Sequence, residues 1–146
     1  MFKGGKGRQF RFAGRWTVPR QAVLDAFMKS KGHLTAEEVY LMVRRMNRGI
    51  GMATVYRNLE FLRQHGMLNR YQFGEGRARY ELKDDETHHH HLICTKCGKV
   101  KDYSELIERE MKLMKDLEKE IFQKYNFKTR SHQLDFYGLC DKCLSK

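Results

Sequence analysis

Proline is almost absent: Pro19 is the single one in 146 residues, so nothing beyond it breaks a helix as an internal proline would. Long apolar runs are missing too, and none approaches the roughly 20 residues that a membrane-spanning helix needs. The opening MFKGGKGRQFRFAGRW is basic and lacks the apolar core of a secretion signal, so the chain is expected to be cytoplasmic. No internal repeat is visible. Apolar residues make up 40% of the sequence, an ordinary share for a folded, helix-rich protein, and the length allows one domain or two small ones, each short of core.

Acidic residues are scarce in the first half. Residues 1–82 hold 16 Lys and Arg against 6 Asp and Glu, a net of +10, whereas residues 83–146 hold 13 against 12. Twelve of those 16 cations are arginine, whose planar fork matches phosphates and guanine edges better than lysine does. A polyanion such as DNA is the natural partner of that half. A solvated basic surface is the plain alternative.

Local signals in this half predict three helices and a hairpin. TVPRQAVLDAFMKS, from Thr17, has Pro19 in its opening turn, Val23, Leu24 and Phe27 at helical spacing, and a stop at Lys31-Gly32. TAEE at Thr35 reads as a capping box with Glu38, opening a helix whose apolar residues are Val39, Leu41, Met42, Val43 and Met46. ATVYRNLEFLRQHG, residues 53–66, follows a glycine-containing turn and ends at Gly66; Val55, Leu59 and Leu62 should face the core while Tyr56, Arg57 and Arg63 project elsewhere. MLNRYQF and RARYEL then flank Gly74-Glu75-Gly76 as two β-prone segments around a turn. Three helices and a basic hairpin describe a winged helix-turn-helix, in which the third helix enters the major groove. Tyr56 and Arg57 are then the candidates for base contacts, with Arg20, Arg70, Arg77 and Arg79 available for phosphates.

The cysteines number only four, in two identical pairs, Cys94-x-x-Cys97 and Cys140-x-x-Cys143. In a reducing compartment such pairs are zinc ligands more readily than disulfides, and two of these turns complete a tetrahedral shell. The 42 residues between Cys97 and Cys140 exceed a compact zinc ribbon, so the intervening chain must be structured. SELIEREMKLMKDLEKEIFQKY has helical periodicity and HQLDFYGLC alternates like a strand, which suggests a zinc site pinning a strand-helix-strand unit at its ends. Redox chemistry of a dithiol pair is the alternative.

Ahead of the first pair runs HHHHLIC. Along a strand successive side chains point to opposite faces, so His88 and His90 separate from His89 and His91, and each pair can donate two imidazoles to its own ion. Further donors are His33, Glu81 and Asp102, and also Glu105, Glu108 and His132. On a regular strand His132 shares a face with Leu134 and Phe136, so a partly buried core histidine is its plain reading.

Taken together, T-V-P-R, H-x-T-A-E-E-V-Y, A-T-V-Y-R-N-L, H-H-H-H-L-I-C-x-x-C-G-K-V and Y-G-x-C-x-x-C resemble the ferric uptake regulator (Fur) family of bacterial metal-responsive repressors, over about residues 15–143. The resemblance implies an α+β homodimer: an N-terminal winged helix-turn-helix domain over residues 1–82, a hinge at 83–87, and a small α/β dimerisation domain with a four-cysteine zinc site over 88–146. It implies binding to a palindromic double-stranded DNA operator when metal is loaded. It assigns structural Zn(II) to Cys94, Cys97, Cys140 and Cys143, a regulatory metal to His33, Glu81, His89, His91 and Asp102, and a second site to His88, His90, Glu108 and His132, with Glu105 one turn earlier as a substitute for Glu108. Two positions depart from the common pattern. His90 stands where many relatives have aspartate, and Asp102 stands where iron sensors of the family have glutamate and peroxide sensors have aspartate.

The mechanism implied is a hinge coupled to metal, in which donors from both halves fix the spacing of two recognition helices. Biasing such an equilibrium strongly requires about 10⁴-fold preference for one arrangement. Nitrogen and oxygen donors suit Fe(II), Mn(II) or Zn(II), so the expected signal is iron or iron-mediated peroxide stress, with zinc or manganese sensing as the alternative. With Fe(II) bound, His89 or His91 becomes a candidate for oxidation by peroxide. An enzymatic role, hydrolysis at an open metal position, leaves the basic winged helix unexplained and is not expected. A third reading is an architectural DNA-binding protein whose metals serve stability alone. Ile107, Met111, Met114, Ile121 and Tyr125 form an apolar stripe on the long helix that can serve core and dimer contact together.

Overall fold

The computed structural model describes residues 15–73, 76–83, 89–105 and 107–145. Gly74-Glu75, the hinge residues 84–87 and His88 lie outside the described residues. The chain divides into two units, residues 1–83 and 84–146.

The first unit begins with α1 (Val18–Ser30), capped by Thr17 and closed where Lys31 turns left-handed at φ 50. A two-residue strand, β1 (Leu34–Thr35), leads directly into α2 (Ala36–Met46). The capping box is formed in full: the Thr35 hydroxyl accepts from the Glu38 N–H at 3.2 Å, and the Glu38 carboxylate accepts from the Thr35 N–H at 2.8 Å. Helix α3 (Met52–Gln64) ends at Gly66, whose φ of +69 favours glycine. There Met67 N–H reaches Leu62 O and Gly66 N–H reaches Arg63 O, the two bonds of a Schellman stop.

Packing follows from where each helix places its small and branched residues. Val23, Ala26 and Phe27 of α1, Val39 and Val43 of α2, and Val55, Leu59 and Leu62 of α3 form one core cluster with Leu68 and Tyr80. Truncating Leu59 there costs about 2–5 kcal/mol, the range for a buried leucine that leaves a cavity. Leu41 corrects the expected apolar side of α2, being 58% exposed. Two residues on from Val39 it is turned by about 200° and faces away from the core. Strands β2 (Leu68–Tyr71) and β3 (Arg79–Leu82) make an antiparallel wing, and β1 joins its far side, giving the order β1-β3-β2. Sequence pattern does not reveal β1, which is too short to show alternation.

In the second unit β4 (His90–Cys94) is central. It pairs antiparallel with β5 (Val100–Tyr103) and parallel with β6 (Asp135–Gly138). The parallel pairing needs a crossover, which contains the 19-residue α4 (Ile107–Tyr125), and the chain ends in the single turn α5 (Asp141–Leu144). His132 precedes β6 and is exposed, so it belongs neither to a strand face nor to a core. Among the described residues of 95–145 none is buried, and Met111, Leu113, Leu117, Phe122 and Tyr125 of α4 are exposed.

Candidate metal centres and nucleic-acid face

Cys94 ends β4 and Cys97 closes the turn after it, where Gly98 adopts φ +71 and returns its N–H to Cys94 O at 2.9 Å. Cys140 caps α5, and Cys143 lies within that helix's single turn, bonding back to Cys140 O at 2.9 Å. All four are free thiols, and their sulfurs lie within 4.8 Å of one another. A tetrahedral zinc with Zn–S near 2.3 Å sets sulfurs about 3.8 Å apart. Cys97 and Cys140 sulfurs are 3.7 Å apart, so the donor set fits zinc. The Cys140 N–H points at the Cys94 sulfur at 3.4 Å and, with the Cys97 amide, holds the Cys94 thiol down to about 6. Cys143 is pushed up to about 12, chiefly because its thiol is hydrogen-bonded to the Cys140 sulfur.

Two sets of harder donors belong to the separate units. In the first, His33 stands one residue ahead of β1 and Glu81 lies in β3, the strand that β1 pairs with. His33 Nε2 meets Glu81 Oε2 at 2.7 Å, with the two side chains only 5% and 8% exposed. In the second, the His89 and His91 rings meet edge to face at 5.2 Å, and Asp102 is the cross-strand partner of His91. Donor atoms of these three lie within 4.8 Å of one another. His91 Nδ1 also meets Asp135 Oδ1 at 3.0 Å, and Gln133 donates to the other Asp135 oxygen at 2.5 Å. A carboxylate on one ring nitrogen orients an imidazole so that its other nitrogen can ligate. Asp135 was not legible in the sequence, because the contact arises from parallel pairing of residues 44 apart.

His90, buried on β4, contacts Glu110 of α4, and His132 Nε2 lies 3.8 Å from the same carboxylate oxygen. Glu110 thus stands where Glu108 was expected. The two are about 200° apart around the helix, and Glu108 is exposed and outside this group, as is Glu105. His88 lies outside the described residues.

On the first unit, Val55, Asn58, Leu59 and Leu62 bury one side of α3, which leaves Tyr56, 46% exposed, and Arg57 on the outside. Buried Asn58 satisfies itself by donating to Thr54 O at 2.8 Å. Arg57 reaches the Thr54 hydroxyl at 3.3 Å, and Arg70 and Arg77 are exposed, the latter 3.5 Å from Glu37. Arg20 is different. Its guanidinium lies 3.5 Å over the Phe61 ring, near Trp16, and donates to Arg15 O at 2.8 Å. Internal stacking therefore occupies the group that sequence assigned to phosphate. Arg63 is likewise engaged, forming a two-pronged pair with Glu60 whose hydrogen bonds hold that carboxyl down at about 2.

Comparison with known proteins agrees with this arrangement. The ferric uptake regulator family model matches residues 13–137. The ferric uptake regulation protein of Bordetella parapertussis is 43% identical over 130 residues, covering 87% of each chain. Among solved structures, the ferric uptake regulator of Francisella tularensis with iron superposes with a TM-score of 0.76 at 27% identity, covering 92% of this chain and 97% of that one. The Helicobacter pylori regulator, described as having three functional metal-binding sites, superposes with a TM-score of 0.74 at 27% identity, covering 89% of this chain and 82% of that one. With a winged helix-turn-helix, a four-cysteine cluster and a match over most of its length, this chain belongs to the ferric uptake regulator family of metal-responsive, DNA-binding transcriptional regulators.

Proposed function

We propose that this protein is a cytoplasmic, homodimeric repressor that binds a double-stranded operator in response to iron, or to peroxide through iron. The observation that carries this reading is the His33–Glu81 pair: nitrogen and oxygen donors, with no thiolate, inside the unit that exposes Tyr56 and Arg57. His89, His91 and Asp102 supply the same donor chemistry from the other unit, and we assign all five to one regulatory ion. A bound divalent ion supplies positive charge and a fixed coordination geometry. Holding it commits residues on either side of the 83–87 hinge to one arrangement, and that sets the spacing of two α3 helices in a dimer. Tyr56 and Arg57 then read base edges, while Arg70 and Arg77 engage phosphates.

Cys94, Cys97, Cys140 and Cys143 hold structural zinc, which the second unit needs because so little of it is buried. The exposed apolar residues of α4 supply a surface for the second copy. His90, Glu110 and His132 form a further nitrogen-rich site. The donor set of the regulatory site also accepts Mn(II) or Zn(II), which is the alternative reading.

One experiment separates these signals. Operator binding by the zinc-structured protein is titrated with Fe(II), Mn(II) and Zn(II), with and without peroxide. Iron-dependent binding is expected, lost after peroxide together with the gain of one oxygen on His89 or His91 by mass spectrometry. Binding that ignores all three ions sinks the proposal and favours the architectural reading.

A further inference from the structure

We propose that Tyr71 is a positioning residue for the regulatory ion: its hydroxyl occupies one oxygen of Glu81, so that Glu81 offers a single donor atom beside His33. This rests on the reading that His33 and Glu81 hold that ion.

Three residues spaced by two, Asn69, Tyr71 and Phe73, bring side chains to the same pair of donors. Asn69 faces Glu81 in register across β2 and β3, and Tyr71 is its diagonal neighbour, within reach of a long side chain. The Tyr71 hydroxyl donates to Glu81 Oε1 at 2.8 Å, and the Asn69 amide approaches the same oxygen at 3.4 Å. His33 lies against the other oxygen, Oε2, at 2.7 Å. The two carboxylate oxygens therefore have separate duties. Oε1 is tied to the wing, and Oε2 is presented with the imidazole.

Tyr71 also acts on the imidazole. Its ring is stacked on Phe73 at 5.6 Å and 4°, and the His33 ring stands edge-on to both, at 6.1 and 6.5 Å. One side chain thus restrains both donors, the ring through His33 and the hydroxyl through Glu81. The consequence is selectivity. A carboxylate limited to one oxygen keeps the donor set nitrogen-rich, which suits Fe(II) or Zn(II), whereas a carboxylate free to give both raises the oxygen share and the donor number, which suits Mn(II).

Tyr71→Phe removes the hydroxyl and keeps the ring, while Tyr71→Leu removes both. Co(II), added to the zinc-loaded full chain, serves as probe, because its visible bands weaken as coordination number rises. Tyr71→Phe is expected to keep the parent's circular dichroism without added metal, and to bind Co(II) about tenfold more weakly, the loss typical of an outer-shell partner. Its bands should weaken, and its Mn(II)-to-Zn(II) affinity ratio should rise. Tyr71→Leu should lose more affinity than Tyr71→Phe. Parental bands and affinity in Tyr71→Phe overturn the proposal. Parental bands in His33→Ala and Glu81→Gln overturn the underlying assignment instead, so the two failures are distinguishable.

Discussion

Cys97 and Cys140 bring their sulfurs to 3.7 Å although 42 residues, including a 19-residue helix, lie between them. Closing so long a loop is entropically costly, and the chain between them offers little buried apolar surface in return. A metal bond of the structural kind makes up the difference.

Zinc removal is therefore expected to unfold the second unit while the first survives. The parent should carry at least one zinc per chain, and Cys140→Ser should lose the cysteine-bound ion. Circular dichroism should then show loss of α4 with α1–α3 retained. A zinc-free protein with an unchanged melting profile would exclude this role for the cysteines.

For the second site, Glu110→Gln should weaken Mn(II) or Zn(II) binding by more than about tenfold, and Glu108→Gln should leave it within about twofold. Calorimetric titration of the two variants separates them. The reverse order would return the site to Glu108.

On the DNA face, Arg57→Ala should cost about 1–3 kcal/mol of operator affinity and relax base preference, and Arg77→Ala should lower the salt slope by about 1 without changing preference. Arg20→Ala should instead leave the salt slope alone and lower stability by roughly 1 kcal/mol, the scale of a cation–π contact. A reduced salt slope in Arg20→Ala would restore it to the phosphate contacts.

The Glu60–Arg63 pair predicts a pH window. Pairing lowers the folded-state pKa of Glu60 from 4.5 to about 2, chiefly through hydrogen bonds from Arg63 and then Gln64. Its contribution to stability is thus present above about pH 4.5 and fades as pH falls through about 2. Carboxyl titration by NMR should place Glu60 at about 2, and Arg63→Ala should bring it back toward 4.5. The pair is solvent-exposed, so the stability effect itself should be small.

Features decided within a turn or two of chain were readable from sequence. The capping box of Thr35 and Glu38, the stop at Gly66 and the buried positions Val55, Leu59 and Leu62 all depend on neighbours three to five residues away. The expectation fails where identity was read without phase, as with Leu41 on α2; on α4, Glu110 rather than the Glu108 that the resemblance implies lies with His90 and His132. Long-range partners leave no local trace. Asp135 beside His91, the stacking of Arg20 on Phe61 and the hydroxyl of Tyr71 on Glu81 each need the tertiary fold to exist before the residues meet.

Strand β4 sets a rule for how this chain can change. Within five residues, about 17 Å of backbone, it carries His90, His91 and Cys94, one member of each of three donor groups. Each is assigned to its group by phase along the pleat as much as by identity. Substitution can tune one group at a time. A single inserted or deleted residue between His91 and Cys94 would turn both histidines to the wrong faces relative to the cysteine, so divergence in length has to occur outside this segment.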